Sequence, residues 1–499
     1  MDTRRKRGTI RYAAQGLLAA ALVTAGPIWA QDAVVEPPPS ETDALKRIET
    51  LEKELNALKK TVKEGVEADK EAAKVNPKVE VGTKGLSVTS ADGAHQLQLR
   101  VRLAVDYGGI WEDDELNEFQ SPSATAPAFG EQDDGVDFRY ARLIVQGFVF
   151  KDFKYQIETD FAGDTGATSP TFKDVFIEYD KIPYGGGRTF GLRVGHFKEP
   201  INLEDQISTP DLVFLEKPLL DIFVPSRNVG LMVSDAVIGQ PTKERMTWAL
   251  GVFKETDENP GPSDNDEYRG WSVSTRLSGL PYSDKGGRRL IHLGFGYSHR
   301  TPNGGNVDYR VRSESRIVEA RYIDPNLTAI ANADLPAGVV RLNATDVQTI
   351  DLFDAELAGV VGPWWWQAEY LHSMLDTDNE GTLGFDGYYV QTGYVITGEK
   401  RNYNHARGTF TPPVPKKNFS PFRGQGQGWG AWEVAGRYSF VDMTDGPVQG
   451  GKQTAYTFGL NWYANPNIRW ALNYIHNDID NDFYDGDFDV LQSRVQIAF

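Results

Sequence analysis

Leu491-Gln492-Ser493-Arg494-Val495-Gln496-Ile497-Ala498-Phe499 decides the fold. In an extended chain Leu491, Val495, Ile497 and Phe499 fall on one side, and Gln492, Arg494, Gln496 and Ala498 on the other. A period of two marks a strand with one apolar and one polar face. The pattern recurs upstream. Leu97, Leu99, Val101, Leu103 and Val105 alternate with Gln98, Arg100, Arg102 and Ala104. Trp432, Val434 and Tyr438 alternate with Glu433, Ala435 and Arg437. Tyr456, Phe458, Leu460 and Trp462 alternate with Ala455, Thr457, Gly459 and Asn461, and Ile468, Trp470, Leu472 and Tyr474 with Arg469, Ala471 and Asn473.

A soluble sandwich turns its apolar faces inward; a transmembrane barrel turns them to lipid and lines water with the polar faces. Three features favour the barrel. The polar faces are rich in Gly, Ala, Asn, Gln and Arg, too thin and wet for a packed core. Aromatics gather at strand ends (Trp364-Trp365-Trp366, Tyr388-Tyr389, Trp462-Tyr463), as interfacial girdles require. Short connections such as Gly362-Pro363 and Asn465-Pro466-Asn467 alternate with long polar ones, the pattern of short turns at one rim and long loops at the other. Closure also satisfies every backbone group in lipid. Residues 95–499 divided among sixteen strands leave about 25 residues for each strand and its connection, which suits strands of about ten residues. The expectation is a 16-stranded antiparallel transmembrane β-barrel, with Phe499 ending the last strand like a C-terminal insertion signal.

The first 80 residues read differently. Arg4, Arg5, Lys6, Arg7 and Arg11 precede the apolar run Leu17–Val23, Pro27 and a cleavage point after Ala30, the layout of a signal peptide over 1–30. Removing it makes the −18 charge of the whole chain more negative still. Glu36-Pro37-Pro38-Pro39-Ser40 is a stiff linker. Residues 41–64 read as a helix whose Ile48, Leu51, Leu55, Leu58 and Val62 form an a/d seam, ended by Gly65. Residues 31–80 are thus a linker and a short coiled-coil helix, a trimer stalk or an unpaired spacer, and 81–499 the barrel.

Composition excludes other classes. With 21 Tyr, 25 Phe and 11 Trp the chain is no disordered protein. The absence of cysteine removes disulfides, thiolate metal sites and cysteine nucleophiles. The charge argues against nucleic acid as a partner. The seven histidines have no HExxH spacing, and there is no nucleophile elbow, phosphate loop or dinucleotide motif, so neither catalysis, a cofactor nor a metal is expected. Asp478, Asp480, Asp482, Asp485, Asp487 and Asp489, and Asp257, Glu258, Asp264, Asp266 and Glu267, read as solvated loops.

Phe138-Arg139-Tyr140-Ala141-Arg142-Leu143, Thr159-Asp160-Phe161-Ala162 and Asp174-Val175-Phe176-Ile177-Glu178-Tyr179 follow one another. Arg193-Val194-Gly195-His196-Phe197-Lys198-Glu199-Pro200 and Phe223-Val224-Pro225-Ser226-Arg227-Asn228-Val229-Gly230 come next. Trp432–Ser439 and Leu460-Asn461-Trp462-Tyr463 follow C-terminally. In this order, over roughly 80–499, the chain resembles the phosphate-selective porin O and P family. The resemblance implies a trimeric bacterial outer-membrane porin among lipid and lipopolysaccharide, with a long third loop in the lumen and inward Arg and Lys selecting anions, often phosphate.

That third loop maps to residues 199–228. Lys198, Lys217 and Arg227 are the candidates at the constriction, beside Glu199, Glu204, Asp205, Asp211, Glu216 and Asp221. The acidic excess departs from a phosphate trap, where Arg forks and Lys point charges bind the oxygens. Arg100, Arg102, Arg193, Arg276, Arg437, Arg469 and Arg494 lie on polar faces and form a candidate basic ladder, or they brace the wall against Glu158, Asp174 and Glu433. A cation- or sugar-preferring barrel is the second reading. A secreted β-protein that binds carbohydrate is the third, and a detergent requirement with heat-modifiable gel migration separates it from the other two.

Overall fold

The computed structural model describes residues 40–162, 170–239, 243–256, 270–284, 286–420 and 428–499. The expected signal peptide, residues 36–39 of the linker and the acidic stretch around Asp264 lie outside them. The chain divides near Ala72 into two units.

The first unit contains helix α1 (Glu41–Val75). It passes Gly65, where the sequence expectation had stopped it. One glycine costs a helix about 1 kcal/mol, and Ala68, Ala72 and Ala73 beyond it are the best helix formers. Pro77 disfavours helix in the residue before it, and α1 ends there. Lys53 bonds Glu49 one turn back at 2.8 Å. The seam residues Ile48, Leu51, Leu55, Leu58 and Val62 are all exposed. No helix among the described residues is long and apolar enough to cross a membrane.

The second unit opens with a hairpin, β1 (Lys78–Gly82) and β2 (Gly85–Thr89), and β2 pairs with the start of β3. Sixteen antiparallel strands then close on themselves. They are β3 (Gln96–Glu112), β4 (Gly135–Val149), β5 (Phe153–Asp160), β6 (Thr171–Gly185), β7 (Arg188–Lys198), β8 (Arg227–Val237), β9 (Met246–Lys254) and β10 (Trp271–Ser283), followed by β11 (Arg289–Arg300), β12 (Val347–Val361), β13 (Trp364–Thr377) and β14 (Gly381–Val395). The barrel finishes with β17 (Ala431–Asp445), β18 (Val448–Asn465), β19 (Ile468–Asn481) and β20 (Tyr484–Ala498). A small hairpin, β15 (Asn402–Asn404) with β16 (Thr409–Thr411), is separate from the wall. Strand β20 closes the ring against β3, with Arg494 opposite Asp106 and Ile497 opposite Leu103.

Exposure settles which face points out. Leu491 and Val495 are 41% and 57% exposed, whereas Gln492 and Arg494 between them are 0% and 2%. Greasy faces therefore lie outside and polar faces inside, the reverse of a sandwich.

Three features differ from the sequence expectation. Each aromatic doublet splits across the wall, because neighbours on a strand point to opposite faces. Trp364 is exposed, but Trp365 is buried and donates to Glu433; Tyr389 and Tyr463 likewise point inward. Turn lengths also break the simple alternation. Asp378–Glu380 and Phe483 belong to tight connections at the loop rim, whereas residues 396–420 and 428–430 belong to a long connection at the turn rim. There Lys400 donates to the carbonyls of Gly286 and Gly287.

The interior is also not uniformly wet. Residues 301–346, between β11 and β12, supply Val311, Val318, Tyr322, Ile323 and Leu327 to an apolar cluster with Ile350 and Leu352 of β12 and Leu371 and Leu375 of β13. A lumen-facing apolar residue is stable there because a loop covers it.

Candidate functional site

The third loop spans residues 199–226, so Lys198 closes β7 and Arg227 opens β8, both flanking it. Its local structure follows from its sequence. The Asn202 side chain accepts the Asp205 N–H at 3.2 Å and caps a single helical turn, Leu203–Gln206. Pro210 and Pro218 start further short turns, Thr209–Asp211 and Leu219–Phe223. Leu203, Ile207, Leu212, Val213 and Phe214 pack against Leu280, Leu290, Ala358, Val360 and Trp365 of the wall. Gly296 permits the approach, since a Cβ there would stand 1.9 Å from the Ile201 carbonyl oxygen.

The wall clamps this loop by its backbone. Arg469 donates to the carbonyls of Leu212 (2.5 Å) and Val213. Arg494 donates to Leu215 at 2.7 Å, Arg437 to Glu216 at 3.1 Å and Gln496 to Pro210 at 2.8 Å. Carboxylates balance the same guanidiniums. Arg494 forks onto Asp106 at 2.6 Å, and Arg437 pairs with Glu314 of the loop 301–346. Arg276 forks onto Glu356 at 2.5 and 2.8 Å and donates to the carbonyls of Arg407 and Gly408 in the turn-side segment. Two loop-rim segments and one turn-rim segment therefore enter the lumen.

Between the clamped loop, the loop 301–346 and the wall of β4–β8 lies a cavity of about 350 Å3. Nine basic residues line it: Arg139, Arg142, Lys173, Lys198, Lys217, Arg227, Arg310, Arg312 and Arg316. Four acidic residues join them: Asp160, Glu216, Asp221 and Glu314. The chain as a whole runs the other way, with 52 basic against 70 acidic residues.

Within the cavity the charges form chains. Arg227 donates to Asp174 at 2.7 Å. Lys198 donates to the carbonyls of Asp205 and Ile207, and its ammonium stands 3.5 Å from the Asp205 carboxylate. Lys217 bridges Asp205 (2.7 Å) and Asp221 (2.8 Å). Arg142 bonds Asp160 at 2.7 Å and Glu158 at 3.2 Å.

Protonation in the loop follows from these contacts. Burial opposes the charge on Glu216, but Arg139 and then Arg494 overcome it and hold the carboxyl well below its ordinary range. Burial likewise opposes Asp205, and Lys198 and Lys217 hold it low. Burial wins at Asp211 over Arg102 and Arg100, and at Asp221 over Lys217, so both carboxyls titrate above the ordinary range.

Of the ten basic residues singled out in the sequence, Lys198, Lys217 and Arg227 line the cavity. The others lie elsewhere on the lumen face. Arg437, Arg469, Arg494 and Arg276 hold loop segments. Arg193 pairs with Glu178 at 2.6 Å and lies over the Phe176 ring, and Arg102 pairs with Glu158 at 3.2 Å. Arg100 faces inward with its Nε without a hydrogen-bond partner.

The alternation reading missed Arg139 and Arg142, three residues apart. A bulge explains it: β3 advances two residues from Ala104 to Asp106 while β4 advances three, from Tyr140 to Asp137. Arg310 and Arg312 alternate with Tyr309 and Val311 of the apolar cluster, a signal that was present in the sequence.

A family model described as phosphate-selective porin O and P matches residues 118–499. Porin O of Pseudomonas aeruginosa is 24% identical over 442 residues, 83% of this chain and 91% of that protein. A protein of Caulobacter vibrioides is 25% identical over 348 residues, 68% of this chain and 62% of its own length. Among solved structures, an anion-selective porin from Comamonas acidovorans aligns with a TM-score of 0.47 at 11% identity, over 81% of this chain and 100% of that one. The outer membrane channel DcaP of Acinetobacter baumannii aligns at 0.45 and 10%, over 81% and 98%.

Proposed function

The chain belongs to the phosphate-selective porin O and P family, and on that premise we propose that it forms a passive, water-filled channel for small anions, phosphate or polyphosphate among them, in the bacterial outer membrane. The observation that carries this reading is the cavity beside the third loop, where nine cationic side chains meet four carboxylates in a chain that is acidic overall. Rings of Arg and Lys are how pores select anions, and the Arg fork matches phosphate oxygens. Lys198, Lys217 and Arg227 are the constriction residues in this reading, joined by Arg139, Arg142, Arg310 and Arg312. Arg100, Arg102 and Arg193 extend the basic surface along the lumen.

The acidic side chains of the third loop support a cation-preferring pore less well. Asp205 is matched by Lys198 and Lys217, and Glu216 by Arg139 and Arg494. Glu199 accepts from Asn228, Ser272 and Ser274. Such carboxylates act as counterions that hold the cations in place. Passage needs no catalytic chemistry and no cofactor.

The basic, apolar and small-residue layout of residues 1–30 supports export through a cleaved signal peptide. Helix α1, with its exposed seam, supports a periplasmic stalk in a homotrimer, since each seam finds cover against its copies. The apolar exterior of the barrel supports contact with lipid and lipopolysaccharide.

Reversal potentials in a planar bilayer test the reading. Anion preference in KCl, with phosphate blocking chloride current, is the expected result. Cation preference without phosphate block would sink it.

A further inference from the structure

On β12, Asp354 and Glu356 project from one face into the barrel, and Glu369 of β13 stands directly opposite Glu356. The three are 1%, 3% and 2% exposed. One carboxylate oxygen from each lies within 4.8 Å of the other two. Like charges in direct cross-strand register repel, and burial removes the water that would screen them.

The cationic partners present do not balance this group. Arg276 forks onto Glu356, and His292 Nε2 lies 2.8 Å from its second oxygen. Glu369 accepts the N–H groups of Leu203 (2.5 Å) and Glu204 (3.1 Å) and the Tyr389 hydroxyl. Asp354 differs from both: neither of its oxygens has a hydrogen-bond partner, although the residue is almost fully buried. Buried carboxylates are ordinarily bonded or coordinate a metal. A second orphan sits close by. Glu204 Oε1 has no partner, while its Oε2 shares the Tyr389 hydroxyl with Glu369. Gly294 leaves the room for this arrangement, because a Cβ there would stand 1.9 Å from Glu356 Oε2.

We propose that Asp354, Glu356 and Glu369 bind one calcium ion on the inner wall of the barrel. The donor set is all oxygen, the preference of hard divalent cations. The three buried carboxylates form an all-protein oxygen set with little room for the waters magnesium keeps, whereas calcium accepts such oxygens in flexible geometry. The ion neutralises the charge that Arg276 leaves over. Glu369 receives the first helical turn of the third loop, so calcium also pins the start of that loop to the wall.

The test uses the full chain in detergent, stripped with a chelator. Calcium is titrated calorimetrically into the wild type and into Asp354→Asn, with heat-modifiable migration confirming that both are folded. Acidic loops can bind calcium too, so the decisive number is the difference: the variant should bind one ion fewer per chain and lose the calcium-dependent rise in unfolding temperature. Equal stoichiometry and equal thermal response would overturn the site. Infrared spectra of the wild type and of Asp354→Asn supply a second measurement. The protonated-carboxyl band that the wild type shows in chelator and Asp354→Asn lacks should vanish with saturating calcium; if that difference band persists, a shared proton holds the cluster instead, and the proposal fails.

Discussion

Arg139 grips Glu216 through two parallel hydrogen bonds, Nε to Oε1 at 2.5 Å and Nη2 to Oε2 at 2.8 Å, and so ties β4 to the third loop. Arg494 of β20 donates to the same Oε1 at 2.7 Å. The third loop is therefore held to the wall by charge pairs.

Glu216→Gln should destabilise the folded barrel by about 3 kcal/mol, because it leaves Arg139 largely buried without its carboxylate while Arg494 keeps Asp106. The unfolding midpoint in urea measures it. The pH dependence has a definite sign. The folded carboxyl titrates below its unfolded value, so its stabilisation is whole above the ordinary glutamate range and drains only as pH falls through the depressed value. Loss of this contribution already at mild acidity would contradict the pairing.

Reversing the cavity charges should move selectivity in proportion to their place on its wall. Lys198→Glu, Lys217→Glu, Arg227→Glu or Arg312→Glu should each lower the anion-to-cation permeability ratio roughly tenfold, the effect of about 1.4 kcal/mol on relative barriers. Lys400→Glu, at the turn rim, serves as the control and should change it little. Reversal potentials in a salt gradient give the ratio directly.

Mild acidification should increase anion preference. Asp211 and Asp221 titrate above the ordinary aspartate range, so they take protons first as pH falls, while Asp205 and Glu216 stay charged. Asp211→Asn combined with Asp221→Asn should show the raised preference already at neutral pH and a flatter response to acid. Chloride is the right permeant here, because phosphate changes its own charge.

Replacing residues 402–411 by a short Gly-Ser linker should raise single-channel conductance. This hairpin places Phe410 in the apolar cluster with Trp365, and His292 Nδ1 lies 2.9 Å from the Tyr403 hydroxyl. The permeability ratio should change less than in the cavity reversals: Arg407 and the Phe410 contact with the third-loop cluster are lost, but none of these residues lines the basic cavity.

The wall was legible because lipid enforces alternation on every strand it touches. Leu97 to Val105 and Leu491 to Phe499 each announce one greasy face, and closure follows once sixteen such strands are counted. The lumen was less legible because no solvent rule governs it. Leu352 and Asp354 share an inward face, yet one meets a covering loop and the other a carboxylate cluster. Arg139 and Arg142 escaped because a bulge resets the parity of β4. That Lys198, Lys217 and Arg227 sit together at the cavity was legible because they flank or lie in a loop that interrupts two readable strands. The path of residues 396–420 was not legible, since nothing local says which rim a long segment leaves or whether it folds back inside.

That segment has a consequence for transport. It narrows the barrel from one rim while the third loop narrows it from the other, so a solute crosses two resistances in series. On the proposed reading the basic gap decides which solutes pass, and the hairpin throttles how many. Sequence changes at Tyr403 can retune flux without altering a charge beside Lys198 or Arg227.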